Sequence, residues 1–317
     1  TTGVTPLHLA ARAFNGEDAV KALLERGAPV DAQESAAGQT ALMFAAAYGR
    51  SASVRELLSH GADPAISTEV VDVLKNMVVN KAAGERLSEA ATEIRNDSPE
   101  GTDRELTPTE VQASIAAQRE FLSSADQIEK LLEGFHPDDL STIRPAWTTQ
   151  NNDLRSPVDI IGRPMEETLV GKTGGMTALL YAAREGQVEA TEVLLAGGAD
   201  IDQVSGDGSS PLLLALLNGR FDLATRLIEH GADPNLATHT DGVSPLFAVL
   251  QTQWSLRFTY QPQPRAQDNQ KTEHMVVLNA LLEAGADPNV RLNTHLWHWE
   301  WEGKMGLDIT GATPFWR

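Results

Sequence analysis

The chain has no cysteine. That excludes thiol nucleophiles, cysteine-ligated metals and disulfides, and leaves oxidising and reducing compartments equally open. No apolar run approaches the length of a membrane span. The longest, around Pro211–Leu217, reads as a buried inner helix. Basic residues are few: 25 Lys and Arg stand against 44 Asp and Glu, a formal charge of −19. Nucleic acid and anionic membrane both attract basic surfaces, so either role would work against the whole field. A basic or neutral protein surface is the better complement, and acidity also serves solubility. Catalytic grammar is missing too. There is no Gly-x-Ser-x-Gly elbow, no His-Glu-x-x-His helix and no plausible dyad, and no cofactor site is expected. Val170-Gly171-Lys172-Thr173 has the end of a phosphate-binding loop. Glu166 stands where that loop needs its first glycine, and Lys172 precedes a repeat helix, so a nucleotide is not expected. His136, Asp138 and Asp139 offer too few ligands for a metal and suit a helix start instead. Asp202, Asp207 and Asp241 read as ordinary turn residues.

What is present is a repeat. Thr5-Pro6-Leu7-His8-Leu9-Ala10-Ala11 returns as Thr40-Ala41-Leu42-Met43-Phe44-Ala45-Ala46 and as Thr177-Ala178-Leu179-Leu180-Tyr181-Ala182-Ala183. Ser210-Pro211-Leu212 and Ser244-Pro245-Leu246 follow, and Thr313-Pro314-Phe315-Trp316 begins a sixth copy. The hydroxyl can cap the first amides of a helix, and proline suits the first helical position. A second signal is locked to the first: Leu-Leu (Leu227-Ile228 in the fourth copy) followed by Gly-Ala, at Gly27, Gly61, Gly198, Gly231 and Gly285. Glycine there ends a helix. Cap and glycine are 22, 21, 21 and 21 residues apart in the first four copies, room for two short helices and a turn.

These residues resemble the ankyrin repeat family, whose unit is a turn and two antiparallel helices of about 33 residues. The family's histidine survives only as His8; Met43, Leu180, Leu213, Phe247 and Trp316 take its place. Gly38–Met43 and Gly311–Trp316 further resemble a bacterial subgroup with long insertions between repeats. Proteins of that kind are often exported, which implies a periplasmic or extracellular location. The fold expected is an all-α ankyrin solenoid with a large helical insertion. Repeats one and two occupy 1–66, the insertion 67–176, and repeats three to five with the start of a sixth 177–317. Thr1 stands just before one repeat and Arg317 inside the first turn of another, so a fragment or processed chain is expected.

Spacing locates the insertions. From Gly61 to Thr177 is 116 residues, where 12 or 13 separate the same marks elsewhere. The excess reads as a helix over Glu69–Arg95, then a loop, then Thr107-Pro108-Thr109-Glu110 as a capping box. Helices to about Leu122 and over Ala125–Glu133 should follow, with an irregular stretch from Arg144 to Gly175. About 20 residues are inserted near Gln251–Gln270, with Trp254, Phe258 and Tyr260, and about 15 between Gly285 and Thr313.

The last of these carries Trp297, Trp299 and Trp301, three of the six tryptophans, at alternate positions. In a strand all three share a face that could hold an apolar groove, a sugar ring or a cation, or could fold back over the array. The ankyrin resemblance implies a second surface. Partners of that family meet hairpin tips and the exposed ends of inner helices. Carried over by position, these are Arg12 and Ala13, Ala47 and Tyr48, Arg184 and Glu185, Leu217 and Asn218. The tips are Gln33 and Glu34, Val204 and Ser205, Thr238 and His239. Tyr48 and Arg184 are the expected anchors, because aromatic and arginine residues dominate hot spots. The function expected is non-catalytic protein–protein interaction as a scaffold, alone or within a larger complex, with no nucleic acid and no membrane span. The alternatives are a small-molecule or glycan binder at the tryptophan insertion and an accessory subunit of an assembly.

Overall fold

A computed structural model describes residues 2–97, 104–133, 171–254, 266–293 and 311–314, side chains of 253, 254 and 266 excepted. Five helical pairs account for most of it. The inner helices are α1 (Pro6–Arg12), α3 (Ala41–Ala47), α8 (Ala178–Glu185), α10 (Pro211–Leu217) and α12 (Pro245–Trp254). The outer helices are α2 (Glu17–Leu24), α4 (Ser51–Ser59), α9 (Val188–Ala196), α11 (Phe221–Glu229) and α13 (His274–Glu283). Between the second and third pairs the chain forms β1 (Val70–Asp72), α5 (Val73–Asn96), α6 (Pro108–Ser123), α7 (Ala125–Glu133) and β2 (Lys172–Gly174).

The expected caps start the inner helices. Thr40 Oγ1 accepts from the Met43 amide, Thr177 Oγ1 from Leu180, Ser210 Oγ from Leu213 and Ser244 Oγ from Phe247. In α1 the job passes to His8. Its Nδ1 accepts from the Thr5 amide at 3.2 Å, so Nε2 carries the proton and donates to the Gln39 carbonyl at 3.0 Å. The histidine thereby ties the first helix to the hairpin that follows it. Leu180 and Leu213, in the same place, are fully buried and pack instead.

Inner helices are nearly all apolar because neighbours cover two sides. α3 lies between α1 and α8, and α10 between α8 and α12. Outer helices bury one stripe only, such as Val54 and Leu57, or Leu223, Ala224 and Leu227. Helices α3 and α8 pack directly, and so do α4 and α9, although the long insertion separates them in sequence. Residues 1–71 and 169–317 form one compact unit and 72–168 a second. One core is shared by α1 to α4, α8 and α9, another runs from α8 to α13, and Leu195 packs against both.

The helix expected over Glu69–Arg95 begins later, at Val73. Glu69 donates its amide to the Ala37 carbonyl and accepts from the Gly175 amide. Val70–Asp72 then pairs with Lys172–Gly174. This ladder joins positions a hundred residues apart, which helical periodicity cannot reveal. The Asp72 carboxylate caps the Lys75 amide and starts α5. Val70, inside the span expected to be helical, stands on the strand and is 48% exposed. Among the described residues the fold is all-α except for this pair of short strands. Residues 172–174, expected to be irregular, form one of its strands.

In the second unit α5 and α6 pack along each other, and α7 touches both. Ala83 and Phe121 are its buried apolar residues among those described. The expected capping box is present: Thr107 Oγ1 accepts from the Glu110 amide and Glu110 Oε2 accepts from the Thr107 amide. Arg104 clamps the same carboxylate with two nitrogens, at 2.8 and 2.6 Å. The Arg104 bond, with help from Thr107, holds the Glu110 carboxyl at about 2, below its usual 4.5. A depressed carboxyl stabilises the fold fully above pH 4.5, and that contribution disappears as pH falls through about 2. An NMR titration of the Glu110 carboxyl should therefore give a midpoint near 2, and Arg104→Gln should move it back toward 4.5.

Candidate protein-binding edge

Two ladders run across the repeats, one at each end of the inner helices. The first is at the hairpins. In each repeat one amide closes the hairpin onto the carbonyl just before the next cap: Glu34 to Gln39, Thr68 to Met176, Ser205 to Ser209, Thr238 to Val243 and Leu292 to Ala312. These pairs show where the insertions enter. The second hairpin spans 108 positions and the last spans 20, where the others span four or five. Both insertions leave from hairpin tips, so the helices below keep their register. Neighbouring tips are then joined along the backbone. The Gly206 amide donates to the Gly174 carbonyl, His239 to Asp207 and Asn293 to Asp241.

Side chains expected to present themselves at the tips are partly spent on this framework. Glu34 is 5% exposed and accepts from the Ala36, Ala37 and Gln39 amides. Burial raises its carboxyl, but those amides outweigh it and leave it below the ordinary value. Ser205 is buried between Asp207 and the Ser209 carbonyl. Asp207 and Asp241 are turn residues as expected. Asp241 takes the Thr238 hydroxyl, and burial, with a smaller push from Asp207, raises its carboxyl. Asp202 lies in a turn as well, and its carboxylate also reaches the next repeat, accepting the Asp233 amide at 2.9 Å. His239 is exposed at its tip.

The second ladder lies where the inner helices end. Arg50 Nε donates to the Arg12 carbonyl at 3.0 Å, Gln187 Nε2 to Ala47 at 3.3 Å, and Arg220 Nε to Arg184 at 3.4 Å. Each long side chain, two residues past its own inner-helix turn, satisfies the last turn of the previous inner helix. The C-terminal carbonyls of a helix need such donors. Sequence reasoning missed this row, because one Gln and two Arg do not read as a repeat. Their common position before each outer helix is the signal that could have found them.

The expected anchors lie on this edge. Tyr48 follows α3 and is 52% exposed. Arg184 sits over the Tyr181 ring at 5.0 Å and pairs with Glu185 at 2.9 Å. Arg12 and Asn218 are exposed at the ends of α1 and α10, and Asn218 Nδ2 donates to the Leu214 carbonyl. Phe14, not singled out from the sequence, is 77% exposed with the Arg50 guanidinium 5.5 Å from its ring centroid. The edge thus brings Arg12, Phe14, Tyr48, Arg184, Glu185 and Asn218 into one row, while His239 belongs to the hairpin ladder. Trp297, Trp299 and Trp301 lie outside the described residues, as do Phe258, Tyr260, His136, Asp138 and Asp139. Among the described residues, no helix is long and apolar enough to cross a membrane.

Paired helices stacked through inner–inner and outer–outer contacts, joined by hairpins in register, define a helix–turn–helix repeat solenoid. The chain belongs to the ankyrin-repeat family. The family model for ankyrin repeats, in three copies, matches residues 1–68 and 150–238. A Bos taurus protein named cyclin-dependent kinase 4 inhibitor B is 41% identical over 64 residues, 20% of this chain and 48% of that protein. Human protein phosphatase 1 regulatory subunit 27 is 41% identical over 71 residues, 22% of this chain and 46% of that protein. A Danio rerio protein named as a palmitoyltransferase, ZDHHC13, is 28% identical over 113 residues, 35% of this chain and only 17% of that protein. The matched segments span about half the length of the first two relatives and far less of the third. The repeats and the two regulatory relatives support a role in protein–protein interaction.

Proposed function

We propose that the chain is a non-catalytic recognition module that holds a partner protein along the row of inner-helix ends. One observation carries this reading: Tyr48, a large aromatic, is 52% exposed in the middle of a row whose backbone is tied rigidly from repeat to repeat. A rigid row loses little entropy on binding, so more of the contact energy appears as affinity. An exposed aromatic beside arginines has the composition of an interface hot spot. Two relatives are named for acting on another protein, one as a kinase inhibitor and one as a phosphatase regulatory subunit. The scaffold role, with binding that extends to His239 and the tryptophan insertion, belongs to the same proposal.

Tyr48→Ala and Arg184→Ala together should leave the circular dichroism melt almost unchanged, since both side chains are substantially exposed. Recovery of the partner in affinity capture with quantitative mass spectrometry should fall by about thirtyfold, the worth of a typical hot spot. Equal recovery by variant and native chain would refute this reading.

A further inference from the structure

The chain as a whole is strongly acidic, yet the edge just described is not. Arg12, Arg50, Arg184 and Arg220 line it, one in each of the first four repeats. Among the described residues, Arg12, Arg50 and Arg220 have no carboxylate within ion-pair distance, and Arg184 alone is paired, to Glu185. Two acids that open outer helices are engaged elsewhere. Glu189 accepts from the Ser51 hydroxyl, and Asp222 accepts from the Lys271 and Thr272 amides. Arg50 and Arg220 are each fixed through Nε to a backbone carbonyl. A guanidinium held that way has its terminal nitrogens left for an external acceptor, in the planar geometry that suits a carboxylate.

We propose that this edge binds an extended acidic segment of the partner, with carboxylates spaced to meet successive repeats. The proposal rests on the recognition reading above and names the partner's chemistry. Packed helices lie about 8–10 Å apart and an extended chain advances about 3.3 Å per residue, so one carboxylate in every three residues keeps step with the row. Exposed Phe14 and Tyr48 flank the cations and accept the apolar residues between. The chain's net charge of −19 opposes an acidic partner at long range. Screening limits that field to about 8 Å at physiological salt, so the local row decides.

The fold supplies its own control. Gln187 holds the same ladder position as Arg50 and Arg220 and makes the same bond without charge. Arg50→Gln with Arg220→Gln therefore keeps the architecture and removes only the cations, while Gln187→Arg extends the row. The probe is a fluorescent peptide of about nine residues with aspartate at every third position, alongside the matched asparagine and lysine peptides. The native chain should prefer the aspartate peptide. The double glutamine variant should bind it about tenfold or more weakly with an unchanged melt, and Gln187→Arg should bind it several-fold more tightly. Phosphoserine at the same positions separates carboxylate from phosphate as the natural source; tighter phosphopeptide binding that is still lost in the double variant assigns the row to phosphate and overturns the carboxylate claim. Equal binding of all three peptides, no loss in the double variant, or stronger binding of a single-stranded oligonucleotide would each overturn the proposal. If capture of the partner still depends on Tyr48 and Arg184 in those cases, the recognition reading stands and only the acidic segment fails.

Discussion

Leu213→Ala should cost about 2–5 kcal/mol, the range for emptying a sealed leucine site. Leu213 is fully buried in the third residue of α10. That helix packs against α8 on one side, α12 on the other and α11 behind. The cavity would face helices from three repeats and cannot collapse without moving two interfaces. Arrays of this kind are stabilised by each repeat and by contacts with its neighbours, with little from farther away. The lesion should therefore weaken the coupling on both sides of the fourth repeat as well as the repeat itself. Urea denaturation followed by circular dichroism should show an earlier midpoint and a broader, two-phase transition. Leu9→Ala is the control, because Leu9 is 49% exposed in α1 and its loss should shift the midpoint little. Equal shifts for the two variants would sink the argument.

Gly174→Ala should be nearly as damaging, for a different reason. Gly174 has φ +83, and a Cβ there would lie 1.9 Å from the Glu69 carbonyl oxygen. The obstacle is backbone, in the strand pair through which the long insertion joins the repeats. It cannot rotate away as a side chain would. Left-handed strain alone costs an alanine about 1 kcal/mol or more, and the clash adds to it. The same residue accepts the Gly206 amide, so the damage should spread to the next hairpin. Hydrogen exchange should accelerate at Thr68, Gly175 and Gly206 while the amides of α10 and α11 stay protected. Protection unchanged at those three amides would mean that the strand pair tolerates the change.

The local part of this fold was legible in the sequence. The cap hydroxyls of Thr40, Thr177, Ser210 and Ser244, the capping box at Thr107 and the bounds of α7 depend on residues a few positions apart. Their chemistry is readable one segment at a time. The errors came where a distant segment decides. Val70 looked helical because its spacing to Val73 and Met77 is helical, but Lys172–Gly174 claims it for a strand. Glu34 and Ser205 looked like tip residues because hairpin positions are usually exposed. Both turn inward because their hairpins leave amides or a serine hydroxyl to be satisfied. The ladder of Arg50, Gln187 and Arg220 escaped notice because geometry, not residue identity, repeats. Phe14 escaped because a lone exposed phenylalanine after a helix has no sequence signature.

The hairpin closures carry a last consequence. Thr68 and Met176 bond as Ser205 and Ser209 do, with a hundred more residues between them. Closing a flexible loop of that length instead of four residues costs only about 3 kcal/mol more, since the penalty grows with the logarithm of length. A hairpin summit is thus a docking port for new genetic material. A module added at such a summit leaves the helical spine below unaltered, as α3 against α8 and α4 against α9 attest.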